Sequence, residues 1–354
     1  KDMTDKKYTR SVVVGGVRMG GGAPVSVQSM TTLPPSDVDG TVAEILALER
    51  AGCDVVRVAV PAERDADAIA AVRQAVHIPV VADIHFDARL AVRAAEHGAD
   101  KIRVNPGNLG GENKVKLVAD AVRAHHIPVR VGANTGSIAR AFYERYGGRT
   151  AEALAESALA EARAFEKCGV SDIVLSVKAS DVPLTVAAYR YLSARCDYPL
   201  HLGVTEAGRR FGGIVKSAAA IGALLLDGIG DTLRVSLSGE TTEEVAAGRE
   251  ILRAVGLERD YVEVVACPTC GRCRWNAAAF AEKVEARVKG IRKRLKIAVM
   301  GCAVNGVGEG KDADLGVAGS GEDCVLFRKG EVIWKGPPEE LEERFTEELM
   351  SCLR

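Results

Sequence analysis

Three features are scarce in this 354-residue sequence, and each scarcity limits what kind of protein it can encode. Aromatic residues make up only 5% of the chain, so the core must be built mainly from aliphatic side chains, as is usual in α/β proteins. The net charge is −1, so any anion site must be local rather than a property of the whole surface. No run of about 18 apolar residues is present, which excludes a transmembrane helix. Residues 1–10 also lack the apolar stretch of a signal peptide, which predicts a cytoplasmic location.

A disulfide framework is also not expected, although the chain contains nine cysteines. Their number is odd, their spacing is uneven, and no export signal accompanies them. Five are interpreted as small buried hydrophobic residues or incidental tail residues: Cys53, Cys168, Cys196, Cys324 and Cys352. The other four require a separate explanation: Cys267, Cys270, Cys273 and Cys302.

From about residue 25 to residue 256, short β-branched runs alternate with amphipathic stretches of helical period. The eight runs are 25–29, 54–60, 79–84, 101–105, 128–132, 172–177, 199–204 and 232–237. Strands that alternate with helices predict a parallel sheet, and eight such units predict a (β/α)₈ TIM barrel over residues 1–256. An open doubly wound sheet is the alternative, but it usually has a glycine-rich turn after its first strand. The run Gly20 to Gly22 precedes the first strand and is interpreted as a hairpin turn.

The pattern changes in residues 257–354, which predict a separate small α+β domain. Its strands are expected at 261–266, 296–300, 324–329 and 331–335, with a long basic helix at 277–294. Pro337 and Pro338 are expected to open a final acidic helix.

Arginine occurs in four of the predicted barrel strands, where continuous apolar sequence is the norm. The residues are Arg57, Arg103, Arg130 and Arg234, each preceded by an apolar residue and followed by valine. If they face the lumen, four guanidinium groups converge near the barrel axis, where they suit phosphate oxygens. The alternative is that each pairs with a barrel carboxylate, for which Asp83 and Glu206 are available. Four cations against two acids would leave a positive surplus that a diphosphate could neutralise.

Other strand ends supply polar groups at the same edge of the barrel, where TIM barrels place their chemistry. These residues are Asp83, Asn105, Asn134, Lys178, Glu206 and Ser236. Lys178 is suited either to Schiff-base chemistry or to a phosphate contact. Glu206 is the best candidate for a general acid, and its alternative role is a carboxylate at a helix N-terminus.

Cys267 and Cys270 form a CxxC loop directly after a predicted strand, and Cys273 extends it to CxxCxxC. Cys302 also follows a strand, so the two loops can meet. A lone distant cysteine fits an iron–sulfur cluster better than a zinc ribbon, which would need a second CxxC pair. Structural zinc and a redox dithiol remain alternatives. The fourth ligand is either Cys273 or a carboxylate in the glycine-rich loop that contains Glu309.

Short segments from both predicted domains resemble those of a known family. The segments SVQSMT, IRVNPGN, SVKASD, LGVTEAG, GIGDTLRVSL, ACPTCGR and GCAVNGVGE resemble the bacterial 4-hydroxy-3-methylbut-2-enyl diphosphate synthases, in the family's order over about residues 8 to 350. The resemblance implies reductive ring opening and dehydration of 2-C-methyl-D-erythritol 2,4-cyclodiphosphate, with two electrons supplied through a [4Fe–4S] cluster. It also implies a homodimer in the non-mevalonate isoprenoid pathway. The reaction needs an electron donor such as flavodoxin or ferredoxin, and a reductase would also serve; the sequence does not distinguish them.

The resemblance assigns roles to individual residues. It implies that the cluster ligands are Cys267, Cys270, Cys302 and Glu309, and that Glu206 is the catalytic acid. The substrate-binding residues that it implies are Arg57, Arg103, Arg130, Asn134, Lys178, Arg234 and Ser236, to which the strand-end analysis adds Asp83. The family commonly has no cysteine at the position of Cys273.

Two other functions compete with this one. The first is a Schiff-base aldolase or pterin-type transferase barrel with structural zinc, and the second is an electron carrier or redox sensor. The four arginines argue against an electron carrier, because such a protein needs no anion pocket. Broad visible absorbance would exclude the zinc version of the first.

Overall fold

A computed structural model describes residues 6–105, 109–268, 270–273, 275–302, 306, 310–320 and 322–354. The chain divides into two compact units, residues 1–257 and 258–354. Each unit has its own hydrophobic core among the described residues, and the two sets of core residues do not overlap.

The first unit is a nearly closed barrel of eight parallel strands, as the sequence predicted. A two-stranded hairpin, β1 (Val12–Val14) and β2 (Val17–Met19), precedes the barrel. The barrel strands are β3 (Ser26–Met30), β4 (Val55–Ala59), β5 (Val80–Ile84), β6 (Lys101–Val104), β7 (Val129–Asn134), β8 (Ile173–Lys178), β9 (His201–Leu202) and β10 (Thr232–Leu233). Neighbouring strands pair from β3 to β8, β10 pairs with both β3 and β9, and a bridge from Leu175 to Leu200 joins the remaining edges.

Helices follow the barrel strands and cover the barrel from outside. They are α1 (Val38–Arg50), α2 (Glu63–Ala75), α3 (Ala88–Glu96), α4 (Glu112–Ala124), α5 (Arg140–Arg145), α6 (Ala151–Lys167), α7 (Val182–Ser193), α8 (Arg210–Leu226) and α9 (Thr241–Ala254). Side-chain caps stabilise the N-termini of several helices. Thr150 Oγ1, for example, accepts a hydrogen bond from the backbone N–H of Ala153 at the start of α6. Among the described residues, no helix has the length and apolar character needed to cross a membrane.

The hairpin β1–β2 closes the lower, N-terminal end of the barrel. Its apolar side chains pack against lumen valines of β4, β5 and β8, in one cluster of Val12, Val14, Met19, Val55, Val81 and Val174. The hairpin turn is formed by Gly15 and Gly16, both with positive φ, as two-residue hairpin turns require. The expectation that Gly20 to Gly22 form the hairpin turn is therefore wrong, because these glycines form a second turn after β2.

The second unit is a five-stranded mixed sheet with two long helices. Its strands are β11 (Val262–Ala266), β12 (Leu295–Met300), β13 (Leu315–Ser320), β14 (Asp323–Arg328) and β15 (Glu331–Gly336), paired in chain order. β11, β12 and β13 are parallel, and β13 to β15 are antiparallel. The helices are α10 (Ala277–Val288) and α11 (Pro338–Leu353).

Two features of this unit differ from the sequence-based expectation. The central strand β13 was not predicted, because its glycines weaken the strand signal. A Cβ atom at Gly316 would lie 2.2 Å from the ring of Phe327 in β14, so glycine is needed for the two strands to pair there. Helix α10 is also shorter than predicted, and Gly290, with a φ of 82°, follows its end.

Candidate active site

The strand arginines point into the barrel lumen. Val55 lies on the same face of β4 as Arg57 and packs against the hairpin at the closed end of the barrel. Val56 and Val58, on the opposite face, belong to the core cluster shared with the surrounding helices. Arg57, Arg103 and Arg130 are buried, and Arg234 is half-buried. The register places Arg103 directly beside Arg130 on the neighbouring strand.

Asp83 at the end of β5 is the carboxylate that two of these arginines share. Arg103 Nη1 donates to Asp83 Oδ1 at 2.8 Å, and Arg57 Nε lies 3.6 Å from Oδ2. His85 Nε2 lies 2.9 Å from Arg103 Nη1 and 3.4 Å from Asp83 Oδ1. Burial alone would raise the pKa of Asp83, but Arg57, His85 and Arg103 together hold it well below its usual value. Asp83 is therefore a permanent anion that orients two cations.

Arg234 pairs with Glu244 of α9, which is neither of the two carboxylates, Asp83 and Glu206, that the sequence suggested as partners of the arginines. Arg234 Nε and Nη2 donate to the two carboxylate oxygens of Glu244 at 3.1 Å each, in the bidentate arrangement that guanidinium groups favour. Glu244 also accepts hydrogen bonds from Ser29 Oγ at 2.9 Å and from the backbone N–H of Leu237 at 3.0 Å. It is 2% exposed, so these partners take the place of water around its charge.

Met30 lies between two arginines. Its sulfur is 2.9 Å from Arg57 Nη2 and 3.9 Å from Arg234 Nη1. A thioether is a weak acceptor, so it separates the two cations without neutralising them. Burial lowers the pKa of Arg57 to about 10, and the nearby Arg234 and Arg103 add to this effect. Arg57 still remains protonated at neutral pH.

Lys178, at the end of β8, is the fifth basic side chain at this level of the barrel. A Cβ atom at Gly203 would lie 2.6 Å from Lys178 Nζ and 2.7 Å from the carbonyl oxygen of Arg234, so only glycine leaves room for the lysine. Burial lowers the pKa of Lys178 well below its usual value, and four arginines lower it further: Arg130, Arg57, Arg234 and Arg103.

Arg130 has no carboxylate partner among the described residues, and its Nε and Nη1 have no hydrogen-bond partner there. Below it, Lys101 of β6 is fully buried, and its Nζ lies 3.7 Å from the sulfur of Met19 in the hairpin. Gln28 is also buried with both amide atoms unpaired. Unpaired buried polar groups are costly, so these side chains are suited to bind a ligand or ordered water rather than to stabilise the barrel.

The charges of the lumen therefore do not balance. Within the described part of the barrel, the interior basic side chains are Arg57, Lys101, Arg103, Arg130, Lys178 and Arg234. The carboxylates paired with them are Asp83 and Glu244. The barrel interior thus has a local positive surplus although the chain as a whole is nearly neutral.

Glu206 lies in the loop after β9 and is exposed. Its φ is 52°, in the left-handed region that glutamate rarely adopts and that costs about 1–3 kcal/mol. Neighbouring loops hold this segment: Thr205 N donates to Ala179 O at 3.1 Å, and Ser238 N donates to Gly208 O at 3.2 Å. Helix α8 begins only at Arg210, so Glu206 is not in the first turn of that helix. A strained carboxylate held at the strand ends is typical of a functional position.

The polar residues predicted at other strand ends lie around the same edge. Asn105, which directly follows β6, is 5% exposed. Asn134 ends β7 beside Lys178 in the register, and its backbone N–H donates to Ser137 Oγ at 2.9 Å. Ser236 follows β10 and is half-buried.

The cysteine loops lie at the ends of two neighbouring strands in the second unit. Cys267 follows β11 and Cys302 follows β12, and the register pairs Ala266 with Val299. The backbone N–H of Gly301 donates to Cys267 Sγ at 2.9 Å, a contact that favours a thiolate. Cys270 is exposed, and hydrogen bonds from Arg272 lower its pKa.

Cys273 lies close to the same position. A Cβ atom at Gly301 would lie 2.9 Å from Cys273 Sγ and 3.4 Å from Cys267 Sγ, so the two sulfurs flank one glycine. Cys273 Sγ also donates to the carbonyl oxygen of Trp275 at 3.0 Å. All nine cysteines are described, and each is a free thiol.

Glu309, the predicted oxygen ligand, lies outside the described residues. Within the described part of the chain, no three His, Cys, Asp or Glu side chains are close enough together to hold a metal ion. The residue types still fit an iron–sulfur cluster, because Cys267 and Cys302 follow two adjacent strands and a backbone N–H is already directed at the Cys267 sulfur.

Both units match one family of proteins. Residues 9–249 match the GcpE TIM-barrel domain, and residues 263–351 match the GcpE protein C-terminal domain. The chain belongs to the GcpE family. It is 50% identical over 349 residues to the 4-hydroxy-3-methylbut-2-en-1-yl diphosphate synthase (flavodoxin) of Caldanaerobacter subterraneus subsp. tengcongensis, covering 99% of this chain and 98% of that protein. It is 49% identical to the enzyme of the same name from Geobacter sulfurreducens, covering 98% of this chain and 99% of that protein.

The family resemblance and the prediction of an enzyme are therefore confirmed. The solved structure of a truncated 3-deoxy-D-arabino-heptulosonate 7-phosphate synthase from Thermotoga maritima shares the barrel fold. It matches with a TM-score of 0.52 and 16% identity over 70% of this chain and 94% of that one. This likeness concerns the fold alone.

Three residues of the candidate site described above were missed in the sequence. Glu244 lies in the first turn of a helix, where acidic residues are common for reasons of helix stability alone. Met30 and His85 directly end or follow barrel strands, so the strand-end rule that selected Asp83 could have found them. Nothing in the sequence distinguishes Glu244 from its neighbour Glu243.

Proposed function

We propose that this GcpE-family protein converts 2-C-methyl-D-erythritol 2,4-cyclodiphosphate to 4-hydroxy-3-methylbut-2-enyl diphosphate by reductive ring opening and dehydration. The observation that supports this most directly is the unbalanced positive charge of the lumen. Five basic side chains lie at one level of the described barrel, and only three of them, Arg57, Arg103 and Arg234, pair with its two carboxylates, Asp83 and Glu244. A bound diphosphate would neutralise the excess positive charge. The names of relatives about 50% identical over nearly the full chain support the same product.

In this proposal the barrel unit is the substrate-binding domain. Arg57, Arg103, Arg130, Arg234 and Lys178 hold the diphosphate, and Asn134 and Ser236 hydrogen-bond the polyol. Asp83 contributes by fixing the guanidinium groups of Arg57 and Arg103. Because Lys178 is buried among arginines, an anion in the lumen would favour its protonated form and strengthen its contact with a phosphate oxygen.

Glu206 is proposed as the acid that protonates the departing hydroxyl group. Loss of a hydroxyl as water requires a proton, and a positioned carboxyl group can supply it. The strained backbone of Glu206 and the hydrogen bonds that hold its loop support a functional position. The alternative role at a helix start is less well supported, since α8 begins four residues later.

The second unit is proposed as the cluster domain, with Cys267, Cys270, Cys302 and Glu309 as ligands of a [4Fe–4S] cluster. When bound, such a cluster would supply electrons one at a time for the two-electron reduction. The Gly301 N–H bond to Cys267 would stabilise a thiolate ligand there. Flavodoxin, which appears in the name of the relatives, is the proposed electron donor, and ferredoxin is the alternative.

A homodimer is also proposed, and the molar mass of the protein in solution tests it.

The function is tested with anaerobically purified, iron-loaded protein, the cyclic diphosphate and a chemical reductant or reduced flavodoxin. We expect consumption of the cyclic diphosphate and formation of the linear allylic diphosphate, together with iron and sulfide in the protein. Failure to bind the cyclic diphosphate would contradict the proposal. Borohydride trapping of a carbonyl compound on Lys178, in a protein that contains zinc, would support a Schiff-base aldolase instead.

A further inference from the structure

Glu244 occupies one edge of the Arg234 guanidinium group. Arg234 Nε and Nη2 both donate to Glu244, each at 3.1 Å, while Nη1 points toward Met30 in the lumen. A guanidinium group held along one edge cannot rotate, so its remaining donor has a fixed direction. The carboxylate lies outside the strand ring, on helix α9, and is almost completely buried.

The same carboxylate also fixes the segment that contains Ser236. Glu244 Oε1 accepts the backbone N–H of Leu237 at 3.0 Å, and Oε2 accepts the Ser29 hydroxyl at 2.9 Å. Four donors thus converge on one buried side chain, one from β3 and three from the segment that follows β10. Two of them belong to Arg234, and a third directly follows Ser236.

We propose that Glu244 is a positioning residue for diphosphate binding, which acts by orienting Arg234 and the Ser236 segment without contacting the ligand. This inference rests on the function proposed above. Two effects of Glu244 oppose each other, because its negative charge weakens the attraction of the lumen for an anion while its hydrogen bonds fix the geometry. The bidentate geometry favours the second effect, since a fixed donor loses little freedom when it binds.

Whether removal of the Glu244 carboxylate weakens or strengthens diphosphate binding therefore decides between the two effects. Glu244→Gln keeps the shape and removes the charge, and its amide N–H₂ group cannot accept the donors of Arg234. We expect dissociation constants for the cyclic diphosphate and for inorganic diphosphate to rise roughly tenfold or more, measured by titration calorimetry on the full chain with its iron content verified. Tighter binding by Glu244→Gln would overturn the proposal, because the carboxylate would then act only by neutralising Arg234.

A double-mutant cycle separates positioning from general stabilisation. If Glu244 acts through Arg234, the double variant Glu244→Gln/Arg234→Met should bind the ligands about as weakly as Arg234→Met alone. Fully additive losses, or a fall in melting temperature with unchanged binding, would overturn the proposal. Glu243→Gln is the matched control, because Glu243 pairs with Arg210 at 3.1 Å on the outside of the barrel and should not affect binding.

The proposed function and this inference fail in different ways. If the unmodified protein binds neither the cyclic diphosphate nor inorganic diphosphate, both are contradicted. If it binds them and Glu244→Gln binds them equally well, only the positioning role is contradicted. Turnover number and KM, determined separately, give a further readout, since a positioning defect should raise KM more than it lowers turnover.

Discussion

Arg130 differs from the other lumen arginines in having no carboxylate partner among the residues described. Burial and the nearby Arg57 and Arg103 lower its pKa well below the usual value, so its charge destabilises the ligand-free protein. We expect Arg130→Met to raise the free energy of unfolding by about 1 kcal/mol or more, while weakening substrate binding roughly 10- to 150-fold. Denaturant titration and calorimetry measure the two effects.

The control for this prediction is an arginine with a partner outside the barrel. Arg190→Met, which removes an ion pair with Asp227 on the surface, should leave binding unchanged and alter stability only slightly. A stability loss in Arg130→Met would mean that its guanidinium group is well satisfied in the ligand-free protein, which would weaken the case for an anion site.

Glu206 offers a second test at the level of one residue. Glu206→Gln keeps the size of the side chain and removes the acid, so we expect normal substrate binding and iron content with turnover at least roughly 100-fold slower. Steady-state reduction with a chemical donor measures this. Glu206→Gly should be at least as stable as the unmodified protein, because glycine adopts a φ of 52° without strain. Near-normal turnover of the glutamine variant would show that the proton comes from elsewhere.

At the scale of elements, serine substitutions in the loops after β11 and β12 should affect iron content differently from one cysteine to another. Serine variants of Cys267, Cys270 and Cys302 should each lose iron, because each removes a proposed ligand. Cys273→Ser should keep its cluster and activity, since a serine hydroxyl can also donate to the carbonyl of Trp275. Iron, sulfide and visible absorbance are the measurements. Loss of iron in Cys273→Ser, but not in Glu309→Ala, would reassign the fourth ligand to Cys273.

Sequence patterns predicted the elements of the barrel better than those of the second unit. Barrel strands combine β-branched runs with flanking helices. Seven of the eight begin and end within about two residues of the predicted ranges, while β10 ends four residues earlier than predicted. Strand β13 was missed because Gly316 provides space for Phe327, a requirement that exists only once β14 is paired with it. The arginines in the strands predicted a polar lumen, because a buried charge is costly unless it is paired or faces a ligand. Glu244 was not predictable, because its partners lie more than 200 residues away or across a turn from it.

At the scale of the whole molecule, two separate cores predict two unfolding events. The barrel core and the core of the second unit have no residues in common, so we expect two transitions in denaturant or heat. Inorganic diphosphate should stabilise only the barrel transition, by about 2.7 kcal/mol at a concentration one hundred times its dissociation constant. Calorimetry with and without the ligand measures this. A single transition, or a shift of both, would show that the two units unfold together.

The hairpin β1–β2 also affects the order in which the barrel can assemble. Its cluster partners Val55, Val81 and Val174 come progressively later in the chain, and the last is more than 150 residues away. During synthesis the hairpin therefore exists long before the surface that buries it, and its apolar side chains remain accessible until β8 has emerged. Contacts of such sequence separation form slowly. Ribosome-bound chains that end before β8 should therefore expose the hairpin to chaperones and proteases, and chains that extend past β8 should protect it.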